Sequence, residues 1–248
     1  MALFTDGSIS DSEDLRAYES GILDVASIEG IELDAKFRLA TRDLGIEISQ
    51  VFEDEHLDIG LESVVVTPAL ARWHTLRTLS LTYRDAYFVQ LNDRYEAKWH
   101  EYERDAIVAG NALLELGIGV TTDAVPRAAT PTLDAINGGV QTQHDYFVQI
   151  AWISPQGTLG GRSSLTTATV DAGKLLRVAP GQAPANASGW LVWAGTDPEA
   201  LARQVQAPVS VSVKWTMPVD GLKSSPIDAP YEIQPSYLVR KRQLWRRG

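Results

Sequence analysis

Histidines, serines and clustered carboxylates are the groups from which this chain could build a reactive centre, because its 248 residues include no cysteine. That absence removes thiolate nucleophiles, thiolate zinc sites and disulfide frameworks together. His56, His74, His100 and His144 stand far apart, and none belongs to an H-E-x-x-H pair. Glu53, Asp54, Glu55 and Asp58 cluster without the D-x-D-x-D-G spacing and distal glutamate of a calcium loop, so they read as a solvated acidic loop. No G-x-S-x-G elbow lifts a serine, and Gly160-Gly161-Arg162-Ser163 lacks the lysine of a phosphate-cradling loop and reads as a hairpin. Asn186-Ala187-Ser188 fits a glycosylation sequon but reads as a turn, since the first ten residues have neither the basic nor the apolar region of a secretion signal. Carboxylates abound, yet nothing marks a catalytic pair. The expectation is a structural protein rather than an enzyme, with no catalytic residue, cofactor or metal ligand.

The charges are distributed unevenly. Residues 1–66 hold 4 Lys/Arg against 16 Asp/Glu, a net of −12, whereas residues 130–248 hold 11 against 8, a net of +3. The overall net charge of −10 argues against a surface that coats nucleic acid throughout. The basic residues concentrate at the C-terminus. There Tyr237, Leu238, Val239, Leu244 and Trp245 interleave with Arg240, Lys241, Arg242, Arg246 and Arg247, the composition of a docking segment with apolar anchors beside cations. Pro226, Pro230 and Pro235 favour an extended arm over a helix.

The elements that would carry these residues fall into two halves. Ser10-Asp11-Ser12-Glu13 has capping-box spacing and predicts a helix start, followed by Leu15, Tyr18 and Ile22 on one face. Phe37, Leu44, Ile48 and Val51 predict a second amphipathic helix. Thr67-Pro68 marks another start, after which 69–109 contains neither glycine nor proline and would span about 60 Å as one helix. Trp73, Leu76, Tyr83, Tyr87, Leu91, Tyr95, Trp99 and Tyr102 lie on one stripe of it, with Asn92-Asp93 the place where it could break. Arg77 and Arg84 project onto that stripe and need carboxylates, from the acidic first 66 residues or from a neighbouring subunit. Gly117 and Gly119 close this half, and Val125 to Pro131 reads as an extended linker open to proteolysis, as does Asn137-Gly138-Gly139.

Beyond the linker the period becomes two. Strands are predicted at 146–153, 164–170, 175–178, 190–193 and 209–215, with Ser154-Pro155-Gln156-Gly157 as a turn, which suggests an antiparallel sandwich. The expected fold is α+β: a helical domain over 1–129, a β-sandwich over 130–228 and a C-terminal arm over 229–248. No stretch approaches the roughly 18 consecutive apolar residues of a membrane span.

Two segments resemble known families. Gly189-Trp190-Leu191-Val192-Trp193-Ala194-Gly195-Thr196, with the strand at 145–152 and the glycine-rich hairpin at 157–164, resembles fibronectin type III-like domains of tailed-phage and prophage proteins. Alternation sends Trp190 and Val192 to one face and Leu191 and Trp193 to the other, so that one tryptophan is core and the other is free for a sugar or a neighbouring domain. In the helical half, 66–74 and 83–95 are similar to phage neck proteins of the head-to-tail adaptor kind. That resemblance implies a homo-oligomeric ring of about twelve copies, as closed symmetry requires identical repeated contacts. It also implies a place in the virion neck, assembled in the host cytoplasm. The partners would be the portal protein above and a neck or tail protein below, with packaged DNA close by; the arm, 237–247, would dock onto the portal by strand addition. The alternative is a tail or fibre module whose sandwich binds host-surface carbohydrate through Trp193.

Overall fold

The computed structural model of the chain describes residues 2–90, 93–223 and 236–239. The fold is α+β, helices first and antiparallel sheets after them. Five α-helices run α1 Ser12–Tyr18, α2 Ile22–Ile28, α3 Leu33–Asp54, α4 Pro68–Gln90 and α5 Glu96–Leu116. Ten strands follow among the described residues: β1 Ile118–Val120, β2 Thr132–Asn137, β3 His144–Ile153, β4 Thr166–Val170, β5 Lys174–Ala179, β6 Gly189–Gly195, β7 Ala202–Arg203, β8 Val209–Ser210, β9 Trp215–Thr216 and β10 Ser236–Leu238. The chain divides into two compact units, one of residues 7–121 with 235–248, the other of residues 1–6 with 122–234.

In the helical unit, α4 is the hub on which α1, α2, α3 and α5 all pack. From Trp73 to Tyr83 every residue of α4 except Arg77 is buried, which explains why a helix with threonines and serines on several sides shows little amphipathic bias. Thr75, Thr78 and Thr82 settle their hydroxyls on carbonyls one turn back, at Ala71, His74 and Thr78, so their burial leaves no polar group unpaired. Thr67 caps α4 by accepting from the Leu70 amide, as the Thr-Pro pair predicts. Of the two courses left open at Asn92-Asp93, the chain takes the break: it doubles back, with a 3₁₀ turn at Asp93–Tyr95 between α4 and α5. The aromatic stripe then meets itself across the hairpin: Tyr83 stacks on Tyr102 at 5.6 Å and Tyr87 on Trp99 at 5.8 Å. Burying those faces against one another offsets the exposure a lone 60 Å rod would have suffered.

The first helix also differs by one residue from its predicted start. Asp11, not Ser10, is the cap, accepting from the amides of Glu13 and Asp14 while Asp14 returns the bond to the Asp11 amide. Ser10 is drawn instead to His74.

In the β unit, the sheet β4-β3-β6-β7, with β8 also on β6, faces the sheet β2-β5-β9. Trp152, Trp190, Ile150 and Val192 from the first meet Leu176, Val178 and Trp215 from the second in one core. Val125 and Ala128 are buried in that same core, so the stretch read as a linker belongs to the β unit, and Ala128 donates to Gly161 O. The predicted strand at 209–215 is two short strands, and β2 was not foreseen. Its exposed and half-buried positions carry polar Thr132, Asp134 and Asn137, which conceal an edge strand from a search for apolar runs.

Candidate assembly site

The end of the helical unit is built around β1. Gly117 closes α5 with φ +105°, a backbone region that favours glycine, and turns the chain directly into a strand whose three residues are all buried. One edge of β1 is held by 63–65: the Val65 amide donates to Gly119 O at 2.8 Å and the Thr121 amide to Ser63 O at 2.9 Å. The other edge takes β10, antiparallel, with Ile118 opposite Leu238, Gly119 opposite Tyr237 and Val120 opposite Ser236. A side chain at Gly117 would lie 3.1 Å from Tyr237 Cβ and from Val239 Cγ2, so the glycine also clears space for this strand. Of the predicted docking arm, Tyr237 and Val239 are exposed and Leu238 half-buried in this pairing. Arg240, Lys241, Arg242, Leu244, Trp245, Arg246 and Arg247 lie outside the described residues.

The two arginines singled out from the sequence part company. Arg77 pairs with Asp43 of α3 through Nη2 at 2.9 Å and Nε at 3.2 Å, drawing on the acidic N-terminal part of its own chain. Arg84 is exposed and makes no ion pair among the described residues; the adjacent Asp85 takes Lys36 at 2.5 Å. Sequence reasoning missed a second polar knot, in which Lys98 Nζ at 2.8 Å and the Tyr102 hydroxyl at 3.0 Å both donate to Glu19. Burial pushes the Glu19 carboxyl up, but Lys98 and the tyrosine hydroxyls outweigh it and hold the group below its ordinary range.

Large apolar side chains remain uncovered on this unit. Ile46 on α3 and Ile107 and Val108 on α5 are 61%, 57% and 57% exposed, and Phe88 and Val89 are open at the end of α4. His100 stacks on Trp99 at 4.4 Å beside them. Exposed apolar side chains of this size are the positions from which a protein contact could be built.

A serine–histidine pair does form, but in the interior. The Ser10 hydroxyl stands 2.7 Å from His74 Nδ1, and His74 Nε2 faces Phe37 O at 3.2 Å and Thr41 Oγ1 at 3.0 Å. Because Thr41 already donates to Phe37 O, Nε2 carries the ring proton and Nδ1 accepts from Ser10. Ser10 and His74 are both buried, which suits a fastener joining the N-terminal segment, α3 and α4 rather than a nucleophile.

In the β unit, Trp190 and Trp193 point to opposite faces as alternation requires, yet both are buried. The Arg162 guanidinium lies 4.3 Å above the Trp193 ring, so Trp193 is no open sugar platform. A separate cleft of about 420 Å³ is lined by His144, Tyr146, Asp197, Asp220 and Lys223. Gln204 fastens its rim: buried, it donates to the carbonyls of Ala194, Ala202 and Lys223 and accepts the Lys223 amide at 2.9 Å. Among the described residues no group of three or more acidic or histidine side chains is placed to hold a metal ion, His56 and the 53–58 cluster included. No helix among them is long and apolar enough to cross a membrane. The chain matches no protein-family model and no curated protein, so any functional reading rests on these surfaces and on the sequence.

Proposed function

We propose that this chain is a structural neck component of a tailed-phage virion, a head-to-tail adaptor that forms a ring of copies below the portal and joins it to a neck or tail protein. The observation that carries the reading is the exposure of Ile46 on α3 and of Ile107 and Val108 on α5, the two long helices that pack on the buried hub α4. Repeated contact between copies would remove these side chains from water, at roughly 25 cal/mol per Å² of apolar surface covered. In this reading the helical unit makes the ring, the β unit decorates it, and the cationic end of the arm reaches the portal and lies near packaged DNA. The exposed Arg84, which makes no ion pair among the described residues, offers a charge for a carboxylate of the next copy.

The test is a charge placed at the exposed apolar positions of α5. Ile107→Asp combined with Val108→Asp should leave the circular dichroism spectrum unchanged, since both side chains are exposed, and should abolish assembly measured by sedimentation. A double variant that assembles like the parent would remove the basis of the proposal. A tail or fibre module that binds host-surface carbohydrate draws its support from the cleft beside His144 and Asp197 rather than from Trp193. It would be favoured by saccharide binding that Asp197→Ala eliminates while assembly is untouched.

A further inference from the structure

We propose that β10 is exchanged between copies, the Ser236–Leu238 strand of one chain pairing with β1 of the next. The inference rests on the reading of the chain as a self-assembling ring component and names the contact that would lock the ring. The acceptor is built for a strand. β1 is buried and has one edge satisfied by residues 63–65; its other edge needs a backbone partner, and Gly117 leaves room for that partner's side chains. The donor's pairing with β1 is three residues long, and of the described residues 236–239 Ser236, Tyr237 and Val239 are exposed while Leu238 is half-buried. Such a ladder holds the same hydrogen bonds whichever copy supplies the strand, so exchange sacrifices no contact.

The sequence joining donor to chain favours exchange. Residues 122–223 group with the β unit and β10 with the helical unit, and the connecting sequence 224–235 contains Pro226, Pro230 and Pro235. A proline-rich spacer of this length reaches about 40 Å when extended. Once copies stand side by side, the neighbour's strand competes at a high effective concentration, and each exchange ties two subunits together. Tyr237 and Val239, open when the strand lies on its own chain, would then sit where copies adjoin.

The absence of cysteine makes the test direct. Val120 and Ser236 are ladder partners, and partner positions in an antiparallel pair stand about 4.5–5.5 Å apart, within disulfide range. Chains carrying Val120→Cys and chains carrying Ser236→Cys, with tags of different size, are co-expressed and oxidised. A disulfide-linked mixed dimer is expected, and the double variant V120C/S236C should give a ladder of covalent multimers on a non-reducing gel. A double variant that closes only within the monomer, with no mixed dimer from the single variants, overturns the proposal. So does the failure of both this pair and Ile118→Cys with Leu238→Cys to form any disulfide. The native mass of the same samples separates the two readings: a ring with monomeric closure ends the exchange model and leaves the adaptor, whereas a monomer with monomeric closure counts against both.

Discussion

Single side chains decide how the N-terminal segment is held, and His74 is the clearest case. Burial disfavours the charged ring and pulls its pKa below the ordinary 6.5, although the Phe37 carbonyl and the Asp14 carboxylate act in the opposite direction. The unfolded chain protonates this histidine near pH 6.5 while the folded chain resists. Its contribution to stability is therefore intact above that pH and is lost as pH falls toward the depressed value. The urea midpoint should drop between about pH 7.5 and pH 5.5, and the drop should shrink in His74→Gln, which cannot titrate. An equal drop in the variant would assign the pH response elsewhere. None of this was legible beforehand, because His74, Ser10 and Thr41 are joined only by tertiary packing, and a lone histidine carries no spacing to read. Arg77 was legible in part: its position on an apolar stripe required a carboxylate, and Asp43 supplies one. Arg84, seven residues on, shared the stripe in projection but reaches solvent, because the hairpin needs its aromatic residues and not that position.

Elements were easier to read where a local rule acts alone. The Thr67-Pro68 start, the Gly117 stop and the turn at Ser154 to Gly157 all appear where residue chemistry places them. Elements defined by distant partners were not visible: β1 and β10 are three residues each, and β2 earns its place by pairing with β5 from Thr132↔Ala179 to Asn137↔Lys174. The same dependence changes what a fragment should do. A piece beginning at residue 140 lacks β2, bares the edge of β5, and leaves holes where Val125 and Ala128 fill the core. The Val125 vacancy alone is worth about 1.5–3 kcal/mol. Fragment 140–228 should consequently melt well below fragment 122–228 by circular dichroism; equal midpoints would show that β2 and residues 122–131 are dispensable. Proteolysis at Gly138-Gly139 should be slow, since both amides donate to Gly173 O at 3.2 and 2.9 Å.

At the scale of the whole molecule, α4 is buried nearly all round from Trp73 to Tyr83, while α3, α5 and the end of α4 keep apolar residues facing outward. The β unit, by contrast, buries apolar side chains on both faces of β6, Trp190 with Val192 and Leu191 with Trp193. In the adaptor reading Ile46, Ile107 and Val108 are where copies would meet and β10 would interlock them, although the β unit too leaves Val140 and Val213 exposed. Composition had indicated a split between an acidic beginning and a basic end, but a net charge cannot say which helix faces remain open. The adaptor account is tested most directly by the native mass of the full-length chain, measured by mass photometry alone and with portal rings. With a chain mass of 27.1 kDa, a ring of about twelve copies predicts about 325 kDa, alone or bound to the portal. A stable trimer near 81 kDa, or a monomer that leaves the portal mass unchanged, would contradict it.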